Sequence, residues 1–299
     1  MSGHNPVLYQ HSAIAHRPPL AWPGGRRVAF VPLVSAEYYE MQPPADAFIP
    51  PNVPGGFGRA PYPDVRAFSQ REYGNRVGIF RIIEALRARG MAATAAVDAN
   101  VAKRYPVAVS EMKAAGFEIA AHGIAVTQTI SSRMSENEER AYIAEALATV
   151  EQAAGEKPRG WHGPEYGESL RTPTLLAQAG MRYLLDWPND EQPYRMETPA
   201  GMIVSIPVAL ELDDVVSCHH RRISPARWAQ AVREALDRLC EDAAKGAARH
   251  LVLNLHPWLI GQPHRIRYLE EVLDDVKSRS EIWAATAGEV AEAFAALAK

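Results

Sequence analysis

Short apolar stretches that follow a glycine recur along the chain. Residues 87–91, 116–123 and 177–181 each place a glycine after a helix-like segment, followed by about five residues suited to a buried strand. Glycine suits such a junction because the end of a helix often requires a positive φ. These repeated junctions predict β-α units and a mostly parallel sheet.

The same pattern predicts seven strands and a short eighth one. The strands are expected at residues 27–34, 91–97, 116–122, 159–162, 183–185, 203–210, 250–257 and 282–284. Helices are expected from about 77 to 89, from Pro106, from a capping box at Ser135 to about 154, at 172–179, 224–244 and 263–278, and after Thr286. So many units in one run predict a distorted, closed or nearly closed β/α barrel, with a doubly wound open sheet as the alternative. We place the barrel at residues 27–299 as a single domain, after an irregular arm at 1–26.

Residues 40–71 interrupt the regular pattern with a proline-rich loop. Phe48, Phe57 and Tyr62 give this loop apolar surface to bury. Long loops inside compact domains are usually functional or disordered. We expect a partly ordered lid over the edge of the sheet that carries the functional residues, packed against residues 186–201 or a neighbouring subunit. A disordered insertion is the alternative.

Composition narrows the class of protein. The chain has 299 residues, 47% of them hydrophobic, and a net charge of -3 without a long basic run, which disfavours nucleic-acid binding. No apolar run approaches a membrane span, and the N-terminus lacks the regions of a signal peptide, so we expect a cytoplasmic protein. Cys218 and Cys240 form neither a disulfide framework nor a zinc spacing. We expect a small-molecule substrate, no nucleic-acid or membrane partner, and a homo-oligomer.

Carboxylates and imidazoles gather after the predicted strands, where parallel β/α folds place their working residues. The candidates are Glu37, His122, His162, Glu165, Asp186, Asp190, Asp213, Asp214 and His256. Such a set suits proton transfer or metal binding. Phosphate loops, serine elbows and reactive-cysteine signatures are absent from the sequence, which leaves hydrolysis by water as the leading class. His219 and His220 are interpreted as part of a polar loop.

Three of these strand ends carry short motifs with a family resemblance. Leu253-Asn254-Leu255-His256, Asp186-Trp187 and Pro164 resemble motifs of the polysaccharide deacetylase superfamily with its NodB-type domain, over residues 27–298. The resemblance implies a distorted β/α barrel that cleaves acetamide groups with a divalent metal. It also implies that His256 acts as general acid.

Two other motifs depart from this family. Ser35-Ala36-Glu37 stands where the family has a pair of aspartates, and the metal pair His-x-x-x-His reads His122-Gly123-Ile124-Ala125-Val126. The arginine of the third motif is not evident. Residues 72–78, 190–194 and 259–265 resemble the branch that contains the cofactor-independent, bacterial-type allantoinases, which also lack the metal pair. Residues 161–166 differ from true allantoinases.

These observations predict a hydrolase of non-peptide C–N bonds, acting on a small cyclic ureide, imide or N-acyl substrate. We expect no tightly bound metal, with weak divalent binding at His122 left open. Glu37 is predicted to take a proton from water, His122 to orient the water, and His256 to protonate the leaving nitrogen. The predicted substrate-binding residues are Arg76, His162, Glu165, Asp190 and Asp214. The alternatives are a metal-dependent polysaccharide deacetylase using His122, Glu37 and His162, and a non-catalytic binding protein on the same scaffold.

Overall fold

A computed structural model describes residues 8–48 and 62–297, which form one nine-stranded sheet surrounded by helices. The strands are β1 Val28–Ala36, β2 Thr94–Val97, β3 Glu118–Ala121, β4 Gly160–Trp161, β5 Tyr183–Leu184, β6 Tyr194–Thr198, β7 Gly201–Ser205, β8 Arg249–Leu255 and β9 Ile282–Ala284. The helices are α1 Val65–Tyr73, α2 Ile79–Arg87, α3 Ala99–Arg104, α4 Pro106–Ala114, α5 Glu136–Ala154, α6 Thr172–Gln178, α7 Pro225–Ala243, α8 Ile266–Ser278 and α9 Ala287–Leu297.

The sheet curls until its two ends meet. The strand order is β6-β7-β5-β4-β3-β2-β1-β8, with parallel neighbours except for β6 and β7, and β9 pairs with the start of β1. Beyond β7, Val208 forms a parallel bridge with Val252 of β8. The predicted distorted barrel is therefore confirmed, and the open doubly wound sheet is wrong.

Burial on both faces explains the apolar central strands. All residues of β1 and β8 are buried, as expected for parallel strands covered by helices outside and side chains inside. The helix starts at Ser135 and Ser224 also form as predicted: each serine side chain accepts a backbone N–H of the first turn, and Ser135 completes a capping box with Glu138.

The structure adds elements that the pattern did not predict. Helix α1 begins at Asp64, whose side chain accepts the N–H of Ala67, and it continues through a π-helical turn at Gly74–Gly78 into α2. Strand β6 forms an antiparallel hairpin with β7 inside the segment assigned to a loop. A second π-helical turn, Val215–His220, replaces the polar loop expected around the two histidines.

The N-terminal arm packs along the barrel. Trp22 is buried and its indole N–H donates to the carbonyl of Arg249 at the start of β8. The carbonyl of Leu8 accepts the backbone N–H of Glu197 in β6, so the arm covers part of this edge strand. Within residues 8–48 and 62–297, none of the helices is both long and apolar enough to cross a membrane.

Candidate active site

Glu37, His122 and His256 lie together at the C-terminal end of the barrel. Each follows a strand directly, namely β1, β3 and β8, and each is buried. The Glu37 Oε1 atom lies 3.4 Å from Nε2 of His122 and 3.6 Å from Nε2 of His256. The three residues predicted to be catalytic therefore form one cluster, in which a carboxylate stands between two imidazoles.

His122 is oriented by a neutral acceptor. Its Nδ1 lies 2.6 Å from the carbonyl oxygen of His162, so this nitrogen carries the proton and donates. The other ring nitrogen, Nε2, faces Glu37. The ring of His162 stacks on His122 at 4.8 Å, and its own Nδ1 lies 3.0 Å from Asp186. Burial lowers the pKa of His162, which keeps this supporting ring neutral.

His256 is oriented by a carboxylate instead. Its Nδ1 lies 2.6 Å from Oδ1 of Asp214, which also accepts the backbone N–H of His256. Burial lowers the pKa of His256, but the carboxylates of Asp213, Glu37 and Asp214 together raise it well above its usual value. Conversely, burial raises the pKa of Glu37, but the two histidines lower it far more, to well below the usual range. The resting site is therefore an ion pair of a Glu37 carboxylate and a His256 imidazolium.

Asp213 supports this pair from behind. Its Oδ2 accepts the Tyr166 hydroxyl at 2.7 Å and the Asn254 side-chain amide at 2.9 Å. Its Oδ1 accepts the backbone N–H groups of Val215 and Val216 at the start of the second π-helical turn. All of these partners donate hydrogen bonds, so the carboxylate is fixed in place.

The described residues do not fit the metal site that the family resemblance implies. Asp213, Asp214 and His256 have ligand-type atoms within 4.8 Å of one another, but N–H and O–H groups already occupy the carboxylates, and His256 Nδ1 carries a proton. At the position of the family's metal pair, His122 is accompanied by Val126, which is buried and apolar. Nε2 of His256 also faces Glu37, but it carries a proton in the imidazolium, so Glu37 and His122 offer two donors where a catalytic zinc site takes three protein ligands.

Glu165 occupies a strained position beside the cluster. It has a φ of 54° and Tyr166 one of 57°, a conformation that is unfavourable for residues other than glycine. Glu165 is exposed, and the charges of Glu37 and His256 both act on its carboxyl group. Burial, followed by the charge of Glu37, raises its pKa.

The sequence reasoning missed an arginine that packs on the loops after Glu37 and His256. The Arg71 guanidinium, on α1, lies 4.5 Å from the ring centroid of Tyr39 and 4.6 Å from that of Trp258. His219 meets Trp258 edge-on at 5.2 Å. Burial, followed by the charge of Arg71, lowers the pKa of His219 to about 4. The available sequence signal was that Tyr39 and Trp258 each stand two residues after a predicted catalytic residue.

Two predicted substrate-binding residues lie outside the buried cluster. Arg76 is exposed on the first π-helical turn. Asp190 pairs with Arg17 of the N-terminal arm at 2.7 and 2.6 Å. The neighbouring Glu191 accepts the N–H of His250, six residues before His256 along β8, which is roughly 20 Å at about 3.3 Å per residue. His162, Glu165 and Asp214 do lie at the cluster, with Asp214 behind His256.

The described parts of the proline-rich loop contact the segments that follow β1 and β3. Phe48 lies 5.3 Å from the guanidinium of Arg133, Phe68 packs edge-on against Tyr38, and Tyr62 is exposed. Phe57 lies outside the described residues. The expectation of a lid over the site therefore stays a prediction.

Comparisons with known proteins agree with this architecture. Residues 72–184 match the polysaccharide deacetylase family. A candidate polysaccharide deacetylase of Schizosaccharomyces pombe is 26% identical over 254 residues, which is 75% of each chain. The crystal structure of PuuE allantoinase superposes with a TM-score of 0.81 at 26% identity, covering 97% of this chain and 98% of that one. A candidate polysaccharide deacetylase from Pseudomonas aeruginosa gives 0.80 at 26% identity, covering 96% and 98%. The resemblance read from the sequence motifs is confirmed.

Proposed function

Because the chain carries a polysaccharide deacetylase domain in which a valine stands at a metal-ligand position, we propose that it hydrolyses C–N bonds of small cyclic ureides or imides by proton transfer alone. The observation that carries this proposal is the placement of the Glu37 carboxylate between two histidines of different character. Nδ1 of one histidine lies against a backbone carbonyl, and Nδ1 of the other lies against a carboxylate. The allantoinase among the structural relatives supports a ureide as substrate class.

The first step uses Glu37 and His122. Glu37 Oε1 and His122 Nε2 lie 3.4 Å apart and are both acceptors, so both can hold the same water molecule. Glu37 takes one proton as the water oxygen attacks the substrate carbonyl carbon. The carbonyl π electrons move to oxygen and form a tetrahedral oxyanion. The positive charge of the His256 imidazolium stabilises this oxyanion.

The second step uses His256 as acid. Its Nε2–H gives a proton to the leaving nitrogen as the C–N bond breaks and the carbonyl forms again. The neutral Nε2 of His256 then lies 3.6 Å from the protonated Glu37 and takes back its proton, which restores the resting ion pair. The products are a carboxylic acid and an amine or amide, and ring opening keeps both on one molecule.

The low pKa of Glu37 narrows the substrate class. A strongly depressed pKa keeps the carboxylate ionised but makes it a weak base. One positioned acid or base accelerates a reaction about 10²- to 10⁴-fold. A catalytic metal accelerates hydrolysis far more, because it lowers the pKa of bound water from about 15.7 to about 7. The reacting carbonyl must therefore be activated already. Cyclic ureides and imides meet this requirement better than the acetamide of an N-acetyl sugar.

A substrate screen with matched variants tests the proposal. Chelator-treated protein is offered hydantoin, succinimide and N-acetylglucosamine oligomers, and product is measured by mass spectrometry. We expect ring opening of the cyclic substrates, with kcat lowered about 10²- to 10⁴-fold in Glu37→Gln and His256→Gln. Glu84→Gln, at an exposed position of α2, serves as control and keeps full activity. Deacetylation of the sugar alone contradicts the proposal, and binding of a cyclic ligand without turnover favours the non-catalytic alternative.

A further inference from the structure

We propose that Arg71 is a specificity-determining residue that binds a carboxylate on the substrate, remote from the bond that is cleaved. This inference rests on the proposed function and names its substrate class more closely: cyclic ureides or imides with an acidic side arm. It is carried by the stacking of the guanidinium, its place at the rim and the lack of a carboxylate partner.

The two aromatic rings fix the guanidinium in one orientation. Its carbon lies 4.5 Å from the centroid of Tyr39 and 4.6 Å from that of Trp258. Arginine contacts of this kind keep the cation on the ring face and leave its N–H groups available at the edge of the plane. Such a fixed fork matches the two oxygens of a carboxylate.

The stacking rings belong to the loops that carry the catalytic residues. Tyr39 comes two residues after Glu37, and Trp258 comes two residues after His256. The charge of Arg71 acts on Glu165 and on both histidines of the second π-helical turn, His219 and His220. Arg71 therefore lies at the rim of the reacting cluster, where the far end of a small substrate would lie.

The packing of α1 keeps the arginine in this place. Gly74, three residues later and on the same face, lies so close that a Cβ there would be 2.7 Å from the backbone nitrogen of Trp258. A Cβ at Gly78 would overlap the carbonyl oxygen of Pro257. The C-terminal end of α1 and the π-helical turn that follows it are thus packed tightly on the loop after His256, and Arg71 is held against that loop.

The guanidinium has no carboxylate of its own. Among residues 8–48 and 62–297, no Asp or Glu side chain forms an ion pair with Arg71, whereas Arg17, Arg89 and Arg279 all have such partners. The remaining residues of the chain include no Asp or Glu. The two rings stabilise this half-buried cation but carry no negative charge, and an anionic group on the substrate supplies that charge.

Matched substrates test this inference by turnover. Hydantoin-5-acetate and hydantoin-5-acetamide differ only in the side-arm carboxylate. We expect wild-type protein to prefer the acetate in kcat/KM by about 10- to 100-fold, the range expected for hydrogen bonds to charged groups. Arg71→Met removes this preference, mainly by raising KM for the acetate, and changes kcat/KM for the acetamide less than about threefold. Arg71→Lys keeps only part of it because lysine lacks the planar fork. Arg66→Met, an exposed position on the same helix, keeps the preference.

Calorimetric binding separates this inference from the proposed function. If neither compound is hydrolysed but the acetate binds wild-type protein more tightly than Arg71→Met does, the proposed reaction fails and the carboxylate site stands. Equal use of both compounds by wild-type protein, failure of the acetate to bind, or equal losses on both compounds in Arg71→Met overturn the inference. Thermal melts of both variants verify that each is folded.

Discussion

At the scale of single residues, the acceptor at Nδ1 distinguishes the two histidines beside Glu37. His122 donates to a neutral carbonyl, whereas His256 donates to the Asp214 carboxylate. A carboxylate stabilises the imidazolium much more than a carbonyl does, because a charge-assisted hydrogen bond is roughly twice as strong. In the proposed reaction, this difference in acceptor gives His256 the acid role and His122 the water-orienting role.

Asp214→Asn tests this assignment through the pH profile. The proposed reaction needs protonated His256, so activity falls as pH rises through the pKa of this residue. Loss of the Asp214 charge lowers that pKa, so the alkaline limb of the profile should move down by about one to two pH units. This range follows because a charged hydrogen bond contributes about 1.5–3 kcal/mol and one pKa unit corresponds to 1.36 kcal/mol. The measurement is kcat/KM against pH. An unmoved alkaline limb would show that His256 is not the acid.

Sequence reasoning could find the site residues that directly follow a strand. It could not find those that reach the site only through the packing of helices and loops. Glu37, His122 and His256 each stand directly after a buried strand, so their meeting at one rim follows from the parallel sheet. Arg71 reaches the same rim only because α1 packs on the loop at Trp258. Asp190 was grouped with the rim because it follows β5 in sequence, but the segment after β5 runs back to the arm, where Asp190 meets Arg17.

At the scale of elements, two π-helical turns converge on the loop after β8. Gly74–Gly78 packs on Pro257 and Trp258, and Val215–His220 brings His219 against Trp258. Single π turns inside helices are frequent at functional sites because they redirect a helix face. Here they fix the loop that continues from His256.

Gly78→Ala tests whether this contact positions the catalytic loop. Alanine usually stabilises a helix interior relative to glycine by about 0.5–1 kcal/mol, but here its Cβ overlaps the Pro257 carbonyl. We therefore expect a loss of about 1–3 kcal/mol of unfolding free energy, as for overpacked cores, and a fall in kcat. Val77→Ala, at the exposed neighbouring position, should change neither quantity much. Stabilisation by Gly78→Ala would contradict the close contact.

The elements that the pattern missed have identifiable causes. Helix α1 has no buried residue, so it lacks the apolar stripe that marks an amphipathic helix. Strand β6 has one buried residue, Met196, and its hairpin turn at residues 199–200 was included in a loop. By contrast, β1, β8 and the capped α5 were predicted because burial and capping leave strong local signals.

At the scale of the whole molecule, the N-terminal arm is tied to the barrel far from the reacting cluster. Arg17 and Asp190 form a two-fold hydrogen-bonded ion pair, with side chains only 16% and 14% exposed. Burial raises the pKa of Asp190, but Arg17 and the backbone N–H groups of Gln192 and Glu191 together lower it by more. The pair should therefore stabilise the fold without taking part in substrate binding.

Asp190→Asn tests this assignment of a predicted substrate-binding residue. We expect a loss of about 1–3 kcal/mol of unfolding free energy at pH 7, with kcat/KM nearly unchanged. The depressed pKa means that the stabilisation is present above the unfolded pKa of about 3.9 and is lost as pH falls through the folded value. The cost of the substitution should hence disappear in acid. Arg17→Met should show a similar cost, and the double variant should lose less than the sum. A raised KM with an unchanged free energy of unfolding would instead show that Asp190 binds substrate.

The central claim is hydrolysis of a C–N bond by Glu37 and His256 without a metal. The most direct test measures kcat/KM on a cyclic ureide against bound metal, determined by mass spectrometry in the same chelator-treated samples. We predict full activity in protein with far less than one metal ion per chain, and no proportional gain on adding zinc or cobalt. Activity that disappears with chelator and returns in step with bound metal would contradict the account.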